Sequence, residues 1–138
     1  MGRKKARDNA FKCIYQIGFE NCNTDEKILD YCYLENENDD EEKEYIEKVF
    51  MGVKEKLDEI DKIILSKLKN WTIQRISKVD LAILRLSIYE INFMNDIPVK
   101  VSVNEAVELA KTYGNNDSRS FINGVLAKVI ENKDKDET

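Results

Sequence analysis

The sequence predicts an all-α fold of six or seven helices, on three observations. Apolar residues recur at intervals of three and four almost throughout the chain. No segment shows the strict alternation that marks a half-buried strand. Five glycines and one proline in 138 residues, among many Leu, Ile, Glu and Lys, exclude a collagen-like or low-complexity chain.

The first helix is carried by Ala6, Ala10, Cys13, Ile14 and Ile17, and it begins inside the cationic segment Arg3, Lys4, Lys5, Arg7. Cations in a first turn oppose the helix dipole, so helix stability does not account for them. Gly18 weakens the end of this helix, and Asn21–Asn23 read as a loop. Thr24, ahead of Asp25 and Glu26, is a good cap for a second helix bearing Ile28, Leu29, Cys32 and Tyr33. From Glu35 to Glu44 seven acids face Lys43 alone, a local charge of −6 in a chain whose net charge is −5, so the remainder carries +1. Acids at a helix start are structurally favourable, and an acidic binding patch is the alternative. One apolar stripe then runs through Tyr45, Ile46, Val49, Phe50, Val53, Leu57, Ile60, Ile64 and Leu68.

The pattern breaks over Asn70–Ser77, which divides the chain into bundles of about residues 3–69 and 70–133 within a single domain over 1–138. Trp71, the only tryptophan, is expected to pack at this junction. Neither half holds enough core to be stable by itself. Ser77-Lys78-Val79-Asp80 resembles a capping box opening the most apolar helix, Val79 to Met94, which is therefore expected at the centre. Pro98 ends it by disfavouring a helical Ile97. Ser102-Val103-Asn104-Glu105 reads as a full capping box, starting a helix that Gly114 stops. Asn116 or Asp117 caps the last helix, with Ile122, Val125, Leu126, Val129 and Ile130 as its core stripe and a fraying tail after Asn132.

The absence of histidine removes Ser-His and Cys-His pairs and imidazole metal ligands. Cys13, Cys22 and Cys32 are too widely spaced for a CxxC motif and read as small apolar residues in a reducing compartment. There is no GxxxxGK[ST] loop or GxGxxG turn. Carboxylates such as Glu105 and Glu108, with no metal-site pattern around them, are too little for an enzyme, and no cofactor is expected. No apolar run reaches the length of a membrane span, and MGRKKAR is unlike a secretory signal. A cytoplasmic protein is the expectation. The short basic segment is a candidate phosphate-contacting element or an ordinary solvated terminus.

Three segments, RKKARDNAFKCIYQ, RISKVDLAILRLSIYEI and IPVKVSVNEAVELAKTYGNNDSRSFINGVLAKV, resemble the NusB family of transcription antitermination factors. The resemblance runs from Arg3 to about Val129 and is strongest from Arg75 onward, with Asn21 to Asp61 divergent. It implies two packed three-helix bundles without catalytic activity. It also implies binding to the boxA element of ribosomal-RNA leader transcripts together with ribosomal protein NusE, in an antitermination complex with RNA polymerase. Some members self-associate, so a homodimer is a further expectation. A related domain precedes some RNA cytosine methyltransferases, but 138 residues leave no room for their cofactor-binding domain.

By resemblance, Arg3, Lys4, Lys5 and Arg7 contact RNA phosphates, which supplies salt-dependent affinity. Two of these four cations are lysines, which lack the bidentate fork of arginine, so weak binding without the partner is expected. Phe121 and Asp117 match the family's RNA-proximal aromatic and acid. Phe121 has a core role as its alternative, and Asp117 a capping role. Lys100 and Lys128 are additional phosphate candidates or solvated lysines. Tyr15, Asp80 and Glu90 fall in motifs associated with the NusE-facing surface. Tyr15 could instead edge the core, and Glu90, like Arg85, could be an ion-paired fold element. The alternative to RNA binding is a helical protein-interaction adaptor, which the acidic pI of about 4.9 keeps open.

Overall fold

The computed structural model describes residues 3–17, 19, 24–35 and 39–137. Among them lie seven α-helices, with no strand. They are α1 (Arg3–Ile17), α2 (Asp25–Glu35), α3 (Asp40–Glu55), α4 (Leu57–Ser66), α5 (Lys78–Phe93), α6 (Val99–Tyr113) and α7 (Ser118–Glu137). A short 3-10 turn, Ile73–Arg75, precedes α5. The expectations for Gly18, the Asn21–Asn23 loop, Cys22, the Tyr33 side chain and the start of the acidic run fall outside the described residues.

α5 is the central helix. Every residue from Asp80 to Ile91 is buried, because α1, α3, α4, α6 and α7 all pack around it. One continuous apolar core results, from Ala6 and Ile14 of α1 through Phe50 of α3 and Ile88 of α5 to Leu126 of α7. Burial of this kind supplies the main favourable free energy of folding. The predicted cap of α2 forms, and the acids that open α3 supply a cap of their own. Thr24 Oγ1 accepts from the Lys27 amide at 3.2 Å. Asp39 and Glu42 make a reciprocal capping box, so the acids that open α3 serve a helix N-terminus.

Elsewhere the structure departs from the local reading. The stripe from Tyr45 to Leu68 belongs to two helices, because the chain bends at Lys56. Gly52 O still accepts from the Lys56 amide at 3.0 Å, and Lys56 O from the Ile60 amide at 2.9 Å, so the apolar positions stay in phase across the bend. α3 packs against α1 and α5, and α4 chiefly against α5. α6 starts at Val99 behind Pro98, a turn earlier than Ser102 suggested. Ser102 is buried, and its hydroxyl donates to Glu90 Oε1 at 2.8 Å instead of capping. Ser77 accepts from the Asp80 amide at 3.1 Å, leaving half of the expected box. The cap of α7 uses Asn115 and Ser118. The Asn115 amide donates to Ser118 Oγ at 3.0 Å and the Asp117 amide to Asn115 Oδ1 at 2.8 Å, while the Asp117 carboxylate is exposed. α7 continues to Glu137, beyond the end of its apolar stripe.

Gly114 stops α6 as expected, with φ −89° and ψ −175°, an extended conformation open to any residue. Its requirement for glycine is steric. A Cβ there would lie 2.5 Å from the Ser118 side chain and 2.8 Å from Ala110 O.

Candidate nucleic-acid interface

The four cations at the start of α1 separate into two groups. Lys4 and Lys5 are exposed. Arg7, one turn on, points inward with 4% exposure, and its Nε donates to Glu90 Oε2 at 2.9 Å. Glu90 is 1% exposed and also accepts from Ser102 Oγ and the Tyr45 hydroxyl. Burial disfavours the Arg7 cation, but Tyr45 and Glu90 more than offset this, so its pKa rises above the ordinary arginine value. The structure thus makes Arg7 a structural cation in place of a phosphate contact. The Glu90 carboxylate is buried and accepts from three side chains of the fold, so it stands beneath the surface rather than on a partner-facing one. The side chain of Arg3 lies outside the described residues.

Lys4 lines a cleft between α1, α6 and α7, where Lys111 and Arg119 join it beside Glu105 and Glu108, the last paired with Lys111 at 3.3 Å. An adjoining cleft places Lys4, Lys5 and Asp8 of α1 beside Glu105 and Glu108 of α6 and Glu42 of α3. The Glu42 Oε2 atom is buried without a hydrogen-bond partner. Acids interleaved with the lysines reduce the local positive potential, which favours modest phosphate affinity. Arg119 was not anticipated from the sequence, although it stands two residues before Phe121. Its proximity to Lys4 depends on the antiparallel return of α7 along α6. Lys100 is exposed on the first turn of α6 and lines neither cleft.

On the opposite flank of α7, the half-buried Phe121 ring packs against the core and meets Trp71 at 5.5 Å between centroids. Trp71 thus packs on α7 from the junction segment while keeping 37% of its surface exposed. The Arg75 guanidinium lies 5.3 Å from the centre of the indole. Lys128 Nζ donates to Lys67 O at 3.3 Å, at the C-terminal end of α4, so one of its donors is already engaged.

Tyr15, half-buried at the end of α1, edges the core against Phe11 and meets Phe19 edge-on at 4.9 Å. Phe19 is 41% exposed, and Lys78 Nζ lies 4.9 Å above its ring. The start of α5 therefore joins the end of α1 in an exposed aromatic group, two residues from Asp80. Asp80 itself is buried, with its Oδ1 lacking a hydrogen-bond partner. Glu90 lies ten residues further along α5, roughly 15 Å away at a rise of about 1.5 Å per residue, so these three residues do not form one surface.

Among the described residues no group of three or more His, Cys, Asp or Glu is placed to hold a metal. No described helix is long and apolar enough to cross a membrane.

The profile of the NusB family matches residues 4–131, across both clefts and the aromatic pair. The chain belongs to the NusB family. It is 48% identical over 130 residues to a transcription antitermination protein NusB of Ruminiclostridium cellulolyticum, covering 94% of this chain and 88% of that one. NusB of T. maritima superposes with a TM-score of 0.89 at 36% identity, covering 100% of this chain and 99% of the other. A crystal structure of antitermination factors NusB and NusE in complex with double-stranded RNA superposes with a TM-score of 0.85 at 28% identity, covering 94% and 96%. Within the NusB fold, the cleft lined by Lys4, Lys111 and Arg119 and the Trp71–Phe121 pair stand on the two flanks of α7.

Proposed function

We propose that the chain is an RNA-binding transcription antitermination factor. It takes up boxA-type leader RNA together with ribosomal protein NusE, as a non-enzymatic member of an antitermination complex with RNA polymerase, and supports ribosomal-RNA transcription in the cytoplasm. The observation that carries this reading is the cleft in which Lys4 of α1, Lys111 of α6 and Arg119 of α7 converge on an otherwise acidic protein. Cations from three elements, none of them required by the core, suit a phosphate backbone. The similar NusB and NusE complex, which holds RNA, supports the same reading. The exposed Phe19, with Tyr15 and Lys78, offers an aromatic surface of the kind that protein partners use, and we assign NusE to it. In the absence of NusE, a second copy of the chain would cover the same face.

The test is a fluorescence-anisotropy titration of a short labelled boxA-type RNA, with and without NusE, against a scrambled RNA. Preference for boxA, strengthened by NusE, is the expected result. Equal binding of the two RNAs, or none with NusE present, would reduce the protein to a helical adaptor.

A further inference from the structure

Two cysteines meet where the first two helices pack together. Cys13 of α1 and Cys32 of α2 are both free and both buried in the same apolar core. Their thiols are hydrogen-bonded to each other. Each cysteine alone would be a small apolar side chain that fills space. Their contact adds a chemistry that neither has by itself.

The two sulfurs are not equivalent. The hydrogen bond with Cys32, followed by burial, pushes the Cys13 thiol well above its ordinary pKa. A thiol that keeps its proton is the poorer nucleophile. Cys13 is 0% exposed and Cys32 6%, so access favours the same sulfur as charge does.

α2 is also a helix able to expose a thiol. It packs chiefly on α1. Its core-facing Ile28, Leu29 and Cys32 all keep some exposure, whereas Ala10, Cys13 and Ile14 of α1 keep none. At its start Asp25 is ion-paired with Lys54 of α3, but both side chains are more than a third exposed, and such pairs add little. A helix held by a shallow apolar contact opens at a lower free energy than the core as a whole. Opening α2 carries Cys32 to solvent while Cys13 stays on α1.

We infer that Cys13 and Cys32 form a reversible oxidation site, a dithiol that a hydroperoxide converts to a disulfide between α1 and α2. The Cys32 sulfur attacks the outer oxygen of the hydroperoxide and the O–O bond breaks. Water or an alcohol leaves with the thiol proton, and Cys32 becomes a sulfenic acid. The Cys13 sulfur then displaces the hydroxyl group, which leaves as water with the Cys13 proton, and the S–S bond forms. The two sulfurs give up two electrons in all and the peroxide accepts them. Small thiols reverse the step by exchange. The bond closes a ring that contains Tyr15 and Phe19, so oxidation fastens α2 to α1 beside that exposed aromatic surface.

The test treats the reduced, folded full chain with hydrogen peroxide at neutral pH, then applies alkylation, intact mass and peptide mapping. The expected product is a Cys13–Cys32 cross-link that dithiothreitol removes. Cys22→Ala should form it to the same extent. Cys13→Ala should stop at a sulfenic acid on Cys32, trapped by dimedone. The cross-linked chain should keep its helical circular dichroism and unfold at a higher urea concentration than the reduced chain, because the link restricts the unfolded state. A cross-link through Cys22 would overturn the site, as would thiols that react only in urea strong enough to unfold the chain. A lowered urea midpoint after cross-linking would also overturn it, since the bond would then not fit the native helices.

Discussion

Arg7 and Glu90, 83 residues apart in sequence, form a buried ion pair at 2.9 Å that joins the first helix to the central one. Removing one partner leaves a charge in a site that cannot solvate it, a loss of about 3–5 kcal/mol in comparable pairs. Glu90→Ala is therefore expected to lower stability by that order, read as a reduced urea midpoint at neutral pH. A loss within about 0.5 kcal/mol would show that the pair contributes nothing net.

The same pair separates two kinds of cation in α1. Lys4→Ala with Lys5→Ala should weaken RNA binding and flatten its dependence on salt, because counterions are released only where phosphates are neutralised. Arg7→Ala should chiefly lower stability. Measured on the fraction that remains folded, its salt slope should equal that of the unaltered chain. A flattened slope in Arg7→Ala would return this residue to the RNA.

Two helical glycines have opposite expectations. A Cβ at Gly52 would fall 2.2 Å from the Tyr89 ring, so Gly52→Ala should cost about 1–3 kcal/mol as the buried ring is displaced. A Cβ at Gly124 meets nothing within 4 Å. There the better helix propensity of alanine should raise stability by about 0.5–1 kcal/mol. Thermal unfolding of the two variants side by side decides both.

Tyr113 donates to Asp8 Oδ1 at 2.7 Å. Burial, followed by this hydrogen bond and the Asp8 charge, raises its pKa from 10.0 to about 12. A raised folded-state pKa means that the neutral phenol is favoured by folding. Its contribution is complete below pH 10 and is lost as pH rises from about 10 to about 12. Urea unfolding across this range should show a smaller decline for Tyr113→Phe than for the unaltered chain, and equal declines would contradict the assignment.

The N-cap of α3 is testable in isolation. Asp39→Ala removes an oxygen that accepts from the Glu42 amide at 2.8 Å and should cost about 1 kcal/mol in urea unfolding. Glu42→Gln retains the return bond to the Asp39 amide and should cost less.

By itself, the sequence determined the helical class, the central position of α5, and the helix ends at Thr24 and Gly114. Each of these is set by residues within a few positions of one another: an apolar period, a side chain reaching an amide three residues ahead, a missing Cβ. The NusB resemblance likewise rested on contiguous segments. Tertiary structure alone decided which polar residues face water. Ser102 looked like a cap because its neighbours suit one, but Glu90 stood one helix away and took its hydroxyl. Arg7 looked like its neighbours Lys4 and Lys5 until α5 placed a carboxylate beneath it. The sequence packs Trp71 at the junction, but only the tertiary structure shows that its partner is Phe121 of α7, 50 residues downstream, and that the indole stays partly exposed. Burial of a charge or a ring depends on which distant element arrives beside it, and local spacing does not encode that.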